Sequence, residues 1–523
     1  MHIVASGRDL YTIWKDGIDM ARQPVCRWLR TVEGWPSTRS LRVILLFALF
    51  GGFACSQSLV IERVTVIDAT DRASQPDVTV VIVGDRIAAI GSSKKTKIPK
   101  NAHVVDGAGK FLIPGLWDMH EHGASDFRSP WSHLLFVANG VVGVRDMAGP
   151  ADAREWRAQH AADQPRLSVY LGSPIVDGPN PQWADSIVAA NEAQGREAVD
   201  RQQQRGADFI KVYSSLPRDV YFAIAGEARK RGIPFEGHVP GSVSAAEASD
   251  AGQKSIEHLT LVAEGCSREE TSILAEERSL NEVFRSPAAT MEEKLAAGKR
   301  WFPMEAAKYT TYDERTAQAL FARFVRNGTW HCPTLTEIRG MMDSPLPAND
   351  QRLKYLSEEV RSTWAAGHYQ RFPPVVQRAM MESAKTAFEE SVKLVGRMNR
   401  AGVSILAGTD SMNPQCFPGF GIHDELALLV EAGLSPLAAL QAATRNAAQF
   451  IGQLDRRGTI EAGKTADLVL LDKDPLADIH NTRSIEAVVL DGKLLPRAEL
   501  DAMLAQAQAL ANRPALGAPA KRK

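Results

Sequence analysis

The sequence predicts an α/β protein: a (β/α)8 barrel, the TIM-barrel architecture, joined to a small β-sandwich built from both chain ends. Three observations carry this. Five short apolar runs each hold a potential metal ligand at or near their ends. Strand and helix signals alternate through the centre. A β-branched, turn-rich texture appears near both termini. Apolar runs bounded by Gly or charged residues read as buried parallel strands, and a barrel of such strands builds its active site at their carboxyl ends.

Length and composition fit that architecture. The 523 residues suffice for one barrel and a smaller companion, and 44% hydrophobic with 24% charged content is globular. A net charge of -1 gives no electrostatic reason to expect nucleic acid or an anionic membrane as partner.

The first segment, 1–56, reads as an export signal. Arg22, Arg27, Arg30, Arg39 and Arg42 lead into the apolar stretch 43–50 and the small-residue exit Ala54-Cys55-Ser56. The apolar stretch is too short for a permanent membrane span, which needs about twenty residues. The expectation is therefore a periplasmic or secreted protein with no transmembrane span in its mature form. Cys55 is either beside a cleavage site or a lipid acceptor, and Met20 is a second candidate start. Of the remaining cysteines, Cys266, Cys332 and Cys416 form no disulfide framework, although one bridge is possible.

Residues 57–114 carry strands at 59–68, 78–83 and 86–91, with Gly84-Asp85 as a hairpin turn. The same texture returns over 455–498, and pairing the two sets gives the sandwich. Residues 115–454 hold the barrel. Its strands are expected in the runs 111–122, 141–146, 167–172, 209–213, 233–238, 255–258, 329–334 and 403–410. Two long insertions, about 262–326 and 337–374, follow strands and so belong on the active-site face. They are helical in pattern and carry Trp301, Phe302, Tyr309, Tyr312, Tyr355, Trp364 and Tyr369, which suggests walls around an apolar pocket. The tail 499–523 reads as a short helix and then a disordered end.

The ligands come next. His120 and His122 alternate on one face of a strand, a half-site for Zn²⁺ or a similar ion, while Glu121 points away. Asp118 shares their face one layer deeper and can orient an imidazole from behind. Lys211 ends an apolar run, where an ammonium is costly. It is either ion-paired or a neutral amine able to capture carbon dioxide as a carbamate. Tyr213, two residues on, either bonds the substrate or caps the barrel mouth. His238 and His258 end consecutive strands, each a ligand or a structural histidine. Asp410 follows Gly408, which permits close backbone approach, and either relays a proton or caps the next helix. Arg145 is a carboxylate clamp or a structural ion pair. His423 and Glu425 either reach the substrate or stand behind it, with Asp424 capping the helix.

Together these stretches resemble the metal-dependent amidohydrolase superfamily, in its imidazolonepropionase-like and prolidase-like branch. The anchors are Gly115-Leu116-Trp117-Asp118-Met119-His120-Glu121-His122, Ile210-Lys211-Val212-Tyr213, Gly237-His238, Ile256-Glu257-His258 and Ala407-Gly408-Thr409-Asp410, with matching blocks at 422–448 and 458–468. Ser214-Ser215 departs from the glycines usual after the lysine. The resemblance implies two divalent metals, zinc first, bridged by an N6-carboxylated Lys211. His120, His122 and Asp410 would hold one and His238 and His258 the other. It implies hydrolysis of an amide in a dipeptide or N-acyl amino acid through a metal-bridging hydroxide, with Asp410 and Tyr213 catalytic and Tyr213, Arg145 and His423 binding substrate. A cyclic amide, lactone or ester is the alternative substrate, and an inactive binding scaffold the non-enzymatic one. Oligomeric state stays open.

Overall fold

The computed structural model describes residues 58–125, 131–162, 166–286, 288–342, 349–365 and 374–513. The expected export segment with Cys55, the end of the tail and Tyr369 lie outside the described residues. Residues 56–523 form one compact unit, and no described helix is long and apolar enough to cross a membrane.

The chain starts with β1 (Leu59–Val66), β2 (Gln75–Val83) and β3 (Arg86–Ser92), paired antiparallel in sequence. The Gly84-Asp85 turn between β2 and β3 needs the left-handed backbone, and Gly84 has φ +61°. β4 (His103–Asp106) and β5 (Phe111–Pro114) both pair with β1 in parallel. The apolar run 111–122, expected as one strand, divides at Gly115. β5 stays in this sheet, and β6 (Leu116–Glu121) begins the next. A side chain at Gly115 would sit 2.5 Å from the Val142 methyls, so only glycine allows the crossing.

β6, β7 (Val141–Asp146) and β8 (Ser168–Leu171) form a parallel sheet. A second parallel sheet contains β9 (Val176–Asp177), β10 (Ile187–Val188), β11 (Ile210–Val212), β12 (Phe235–Gly237), β13 (Ser255–Glu257) and β14 (Trp330–Cys332). Single parallel bridges join the pieces: Gly172 with Phe209, His331 with Ile405, and Glu121 with Ser411. The run 403–410, expected as a full strand, makes only these isolated contacts. The Met119 N–H reaches the Ala407 carbonyl, but those of Thr409 and Asp410 both turn to the His120 carbonyl. A left-handed φ of 57° at Asp410 marks that bend.

β15 (Leu468–Leu471), β16 (Ile485–Leu490) and β17 (Lys493–Pro496) bring the other end back. β15 pairs antiparallel with β5, Leu468 opposite Pro114, so strands from both ends share one eight-stranded sheet. Val64, Val80, Ile82, Leu112, Leu468 and Val489 form its apolar core. A larger core runs through the parallel strands and their helices. The C-terminal helix Arg497–Ala511 is longer than expected and packs on the helix Ser132–Ala138.

The insertions are helical as expected, but their aromatic residues are used differently. Trp301 packs edge-on against Phe284, beside Ile273, Leu280 and Met304, a small core of the insertion itself. Tyr355 stacks on Phe420, and Tyr312 lies under the Arg397 guanidinium. These rings complete local packing. The three cysteines are free and buried, so no bridge forms.

Candidate metal centre

β6 presents His120 and His122, and the bend after Gly408 brings Asp410 to them. A Cβ at Gly408 would meet Cys332 Sγ at 2.5 Å and the His120 nitrogen at 2.6 Å, so glycine is required. His122 Nε2 lies 2.9 Å from Asp410 Oδ1, and His120 Nε2 lies 3.4 Å from the same oxygen. His258 Nδ1 is 3.9 Å from Asp410 Oδ2. The rings of His120 and His258 are 4.5 Å apart, and those of His258 and His238 are 4.8 Å apart. The sequence-nominated histidines and Asp410 therefore share one cluster.

His258 gets there by breaking strand alternation. Adjacent residues of a strand face opposite sides, yet both Glu257 and His258 contribute here. The left-handed φ of 55° at His258 ends β13 and turns its ring, held by Thr334 Oγ1 at 2.6 Å from Nδ1. Thr334, Leu259 and Leu261 are also left-handed. Such non-glycine geometry costs about 1–3 kcal/mol each and persists only where surroundings impose it.

Lys211 is the central residue of β11 with no exposed surface, and its Nζ has no hydrogen-bond partner among the described residues. Burial lowers its pKa to about 8, against the raising influence of Glu257 and Asp410. Burial also holds His120 and His238 well below the usual imidazole range and brings His258 to about 4. Neutral imidazoles are the ligand form.

Behind the cluster stands a group that sequence reasoning quoted but gave no role. Glu257 Oε2 lies 2.7 Å from His120 Nδ1 and fixes which ring nitrogen faces Asp410. Its carboxylate also accepts from Arg145 Nη2 at 2.8 Å and from the Ser255 hydroxyl. With His258 taken as inward, strand alternation turns Glu257 outward, so the pattern alone could not have found it. Asp118, expected to orient an imidazole, acts on the backbone instead. It accepts from the His120 N–H, the Thr409 N–H and the Thr409 hydroxyl, and burial raises its pKa to about 7. Glu121 does point away, accepting from the Gly123 and Ala124 N–H groups.

Two expected substrate contacts need correction. Arg145 is fully buried, and its donors go to the Met119 carbonyl, Glu236, Ser255 and Glu257. It is a structural ion pair, closed off from solvent and already bound to the two buried carboxylates of Glu236 and Glu257. His423 is also buried, with one ring nitrogen 2.9 Å from Thr482 Oγ1 and the other 3.1 Å from the Asn139 carbonyl. It borders a cleft of about 580 Å³ with Arg352, Asp424 and Arg483, which shares no residue with the histidine cluster. Glu425 accepts from Leu335, Thr336 and the Thr336 hydroxyl, pinning the segment after β14. Asp424 is no helix cap; it pairs with Arg352 and Arg483.

Tyr213 stays beside the cluster. Its ring lies 4.0 Å from that of His238, and Lys211 Nζ is 5.7 Å from its centroid. The hydroxyl accepts from Trp183 Nε1 at 3.0 Å. Trp183 was not anticipated, because nothing in its local sequence marks it. Ser214 Oγ is 2.9 Å from His238 Nδ1, so the serine that departs from the resemblance supports a ligand.

The donor set fits a divalent ion. His120 Nε2 and Lys211 Nζ are buried polar atoms without hydrogen-bond partners among the described residues, which is costly unless something binds them. His120, His258 and Asp410 can offer ligand atoms within 4.8 Å of one another. Tetrahedral zinc with bonds of about 2.0–2.1 Å holds its ligands about 3.3 Å apart, comparable to the 3.4 Å and 2.9 Å found around Asp410 Oδ1.

Residues 111–495 match the amidohydrolase family. The chain belongs to that family, and membership supports a hydrolytic enzyme. An ochratoxinase from Aspergillus niger is 25% identical over 476 residues, covering 78% of this chain and 80% of the relative. Among solved structures, a bottromycin amidohydrolase superposes with a TM-score of 0.66 at 24% identity, over 87% of this chain and 90% of its own. A Xaa-Pro dipeptidase with methionine bound in its active site gives a TM-score of 0.58 at 18% identity, over 84% and 100%. The fold is that of these amidohydrolase-type structures, which are TIM barrels.

Proposed function

We propose that the protein is a metal-dependent amidohydrolase that cleaves the amide bond of a dipeptide or N-acyl amino acid on a closed (β/α)8 barrel. The single observation carrying this is the clustering of His120, His122, His238, His258 and Asp410, with the unpartnered Lys211 amine near enough to act electrostatically on His120 and His238. The bridges at Gly172, His331 and Glu121 support closure of the barrel. Likeness to a dipeptidase and an amidohydrolase supports an amide substrate.

His120, His122 and Asp410 would hold one divalent ion, and His238 and His258 a second. Lys211 would join them once its neutral amine has taken up carbon dioxide, releasing a proton and leaving a carbamate with two oxygens. Bound ions lower the pKa of water toward neutrality and polarise a carbonyl. The residues do the rest. Asp410 Oδ1 takes the proton of the attacking water and delivers it to the departing amine nitrogen. Glu257 holds His120 in one tautomer, and Tyr213 donates to the carbonyl oxygen as charge develops there. The half-exposed Trp183 ring offers an apolar wall at the mouth, in place of the insertion aromatics.

Purified protein, assayed for metal and offered Xaa-Pro and Xaa-Arg dipeptides and N-aroyl amino acids, tests this. Hydrolysis lost to a chelator and restored by zinc is expected. Folded protein that takes up no metal and cleaves no amide overturns it; cleavage of lactones or esters alone would leave the site reading and overturn the substrate.

A further inference from the structure

We propose that Trp183 is a positioning residue that fixes the Tyr213 hydroxyl as a hydrogen-bond donor aimed into the site. An indole N–H can only donate. At 3.0 Å from Trp183 Nε1, the Tyr213 oxygen is therefore the acceptor, and its own proton must point elsewhere. A phenolic hydrogen otherwise rotates between two in-plane positions. The indole occupies one side of the oxygen and leaves the other for a ligand. The Tyr213 ring stands 4.0 Å from the ring of His238, so the acceptor assigned to that proton is a ligand held in the candidate centre.

The surroundings make this a built arrangement. Trp183 lies in the loop between β9 and β10, and fully buried Asp177 ties that loop to the chain just after Tyr213. Asp177 Oδ1 accepts from the Gly178 N–H at 2.9 Å and the Ser215 N–H at 2.7 Å; Oδ2 accepts from the Gln182 N–H at 3.2 Å. A side chain at Gly178 would lie 1.9 Å from the Ser215 carbonyl, so the two segments touch backbone to backbone. Trp183 itself is 47% exposed, a large aromatic held at the surface with its one polar atom committed to Tyr213. Accepting a bond also makes the hydroxyl a better donor, since hydrogen bonds in series polarise one another.

The catalytic consequence rests on the hydrolase reading above; the placing of the proton does not. Trp183→Phe keeps an aromatic side chain but removes the N–H donor together with the pyrrole half of the indole. It is expected to lower kcat about tenfold with KM within about twofold, while Tyr213→Phe costs about a hundredfold, the range for losing one donor to a developing oxyanion. In the Tyr213→Phe background, Trp183→Phe should change kcat by less than about twofold, because residues acting through one bond are not additive. The same cycle is read without turnover by titrating zinc-loaded protein with inorganic phosphate in a calorimeter. Trp183→Phe should weaken phosphate severalfold in the wild type and leave it unchanged in Tyr213→Phe. Equal effects in both backgrounds, no effect of Trp183→Phe, or no phosphate binding by the wild type would overturn the proposal. Absence of turnover with an intact phosphate cycle would overturn the hydrolase reading and keep this one.

Discussion

Asp410 is where the nominated histidines meet a carboxylate, and its replacement is the sharpest test of residue-level chemistry. Asp410→Asn keeps shape but cannot accept a full proton; kcat should fall by about 10²–10⁴-fold with the circular dichroism spectrum unchanged. Glu257 acts one step back. It serves His120 and Arg145 together, so Glu257→Gln should weaken zinc affinity by about 10–100-fold in a competition titration. Unchanged affinity would mean that the His120 tautomer is set elsewhere. Lys211 carries the pH dependence. Its pKa of about 8 lies below the ordinary 10.5. Between those values the unfolded chain binds more protons than the folded one, so stability of metal-free protein rises with pH there, and the burial penalty is full below about 8. Carbamate formation needs the neutral amine. With ¹³C-bicarbonate, a carbamate resonance should grow as pH approaches about 8 and level off above it, and vanish in Lys211→Arg. A resonance that persists in that variant would assign the modification to another amine.

At the scale of elements, the positions of the clustered residues were legible because a strand has a period of two and a barrel puts its chemistry at strand ends. His120, His122, Lys211 and Asp410 needed nothing else. What alternation cannot show is where it breaks. The division at Gly115, the turn that brings His258 in beside Glu257, and the kink that reduces 403–410 to single bridges all depend on backbone angles and on neighbours distant in sequence. Arg145 and His423 misled for the same reason: a cation or imidazole near a strand end looks available until its partners, Glu236 and Glu257 or Thr482 and Asn139, are placed. The kink has a measurable cost if disturbed. Gly408→Ala forces its methyl against Cys332 Sγ and the His120 nitrogen, an overpacking expected to remove about 1–3 kcal/mol in urea denaturation. Adding Cys332→Ala should recover part of that loss but not all, since the backbone clash remains. No loss would show that the segment yields freely.

Across the whole molecule, the eight-stranded sheet ties the chain ends to each other and to the parallel strands. β5 is the pivot: its residues pair with β1 on one side and β15 on the other, and one residue later the chain becomes β6, which carries His120 and leads directly into His122. Leu112 and Leu468 lie in the sheet core, while Ile113 and Val469 from the same strands lie in the larger core. A chain whose small sheet sends side chains into the core of the parallel strands has no seam along which to come apart. Metal-free protein is therefore expected to unfold in one calorimetric transition, its van't Hoff and calorimetric enthalpies agreeing, and deleting residues 455–523 should abolish folding of the remainder. Deletion exposes the β5 edge and strips Leu468, Leu470, Ala487 and Val489 from the core. Two well-separated transitions, or a truncated chain that still binds zinc through His120 and His122, would show that the sheet is an appendage and that the first histidine pair is positioned without it.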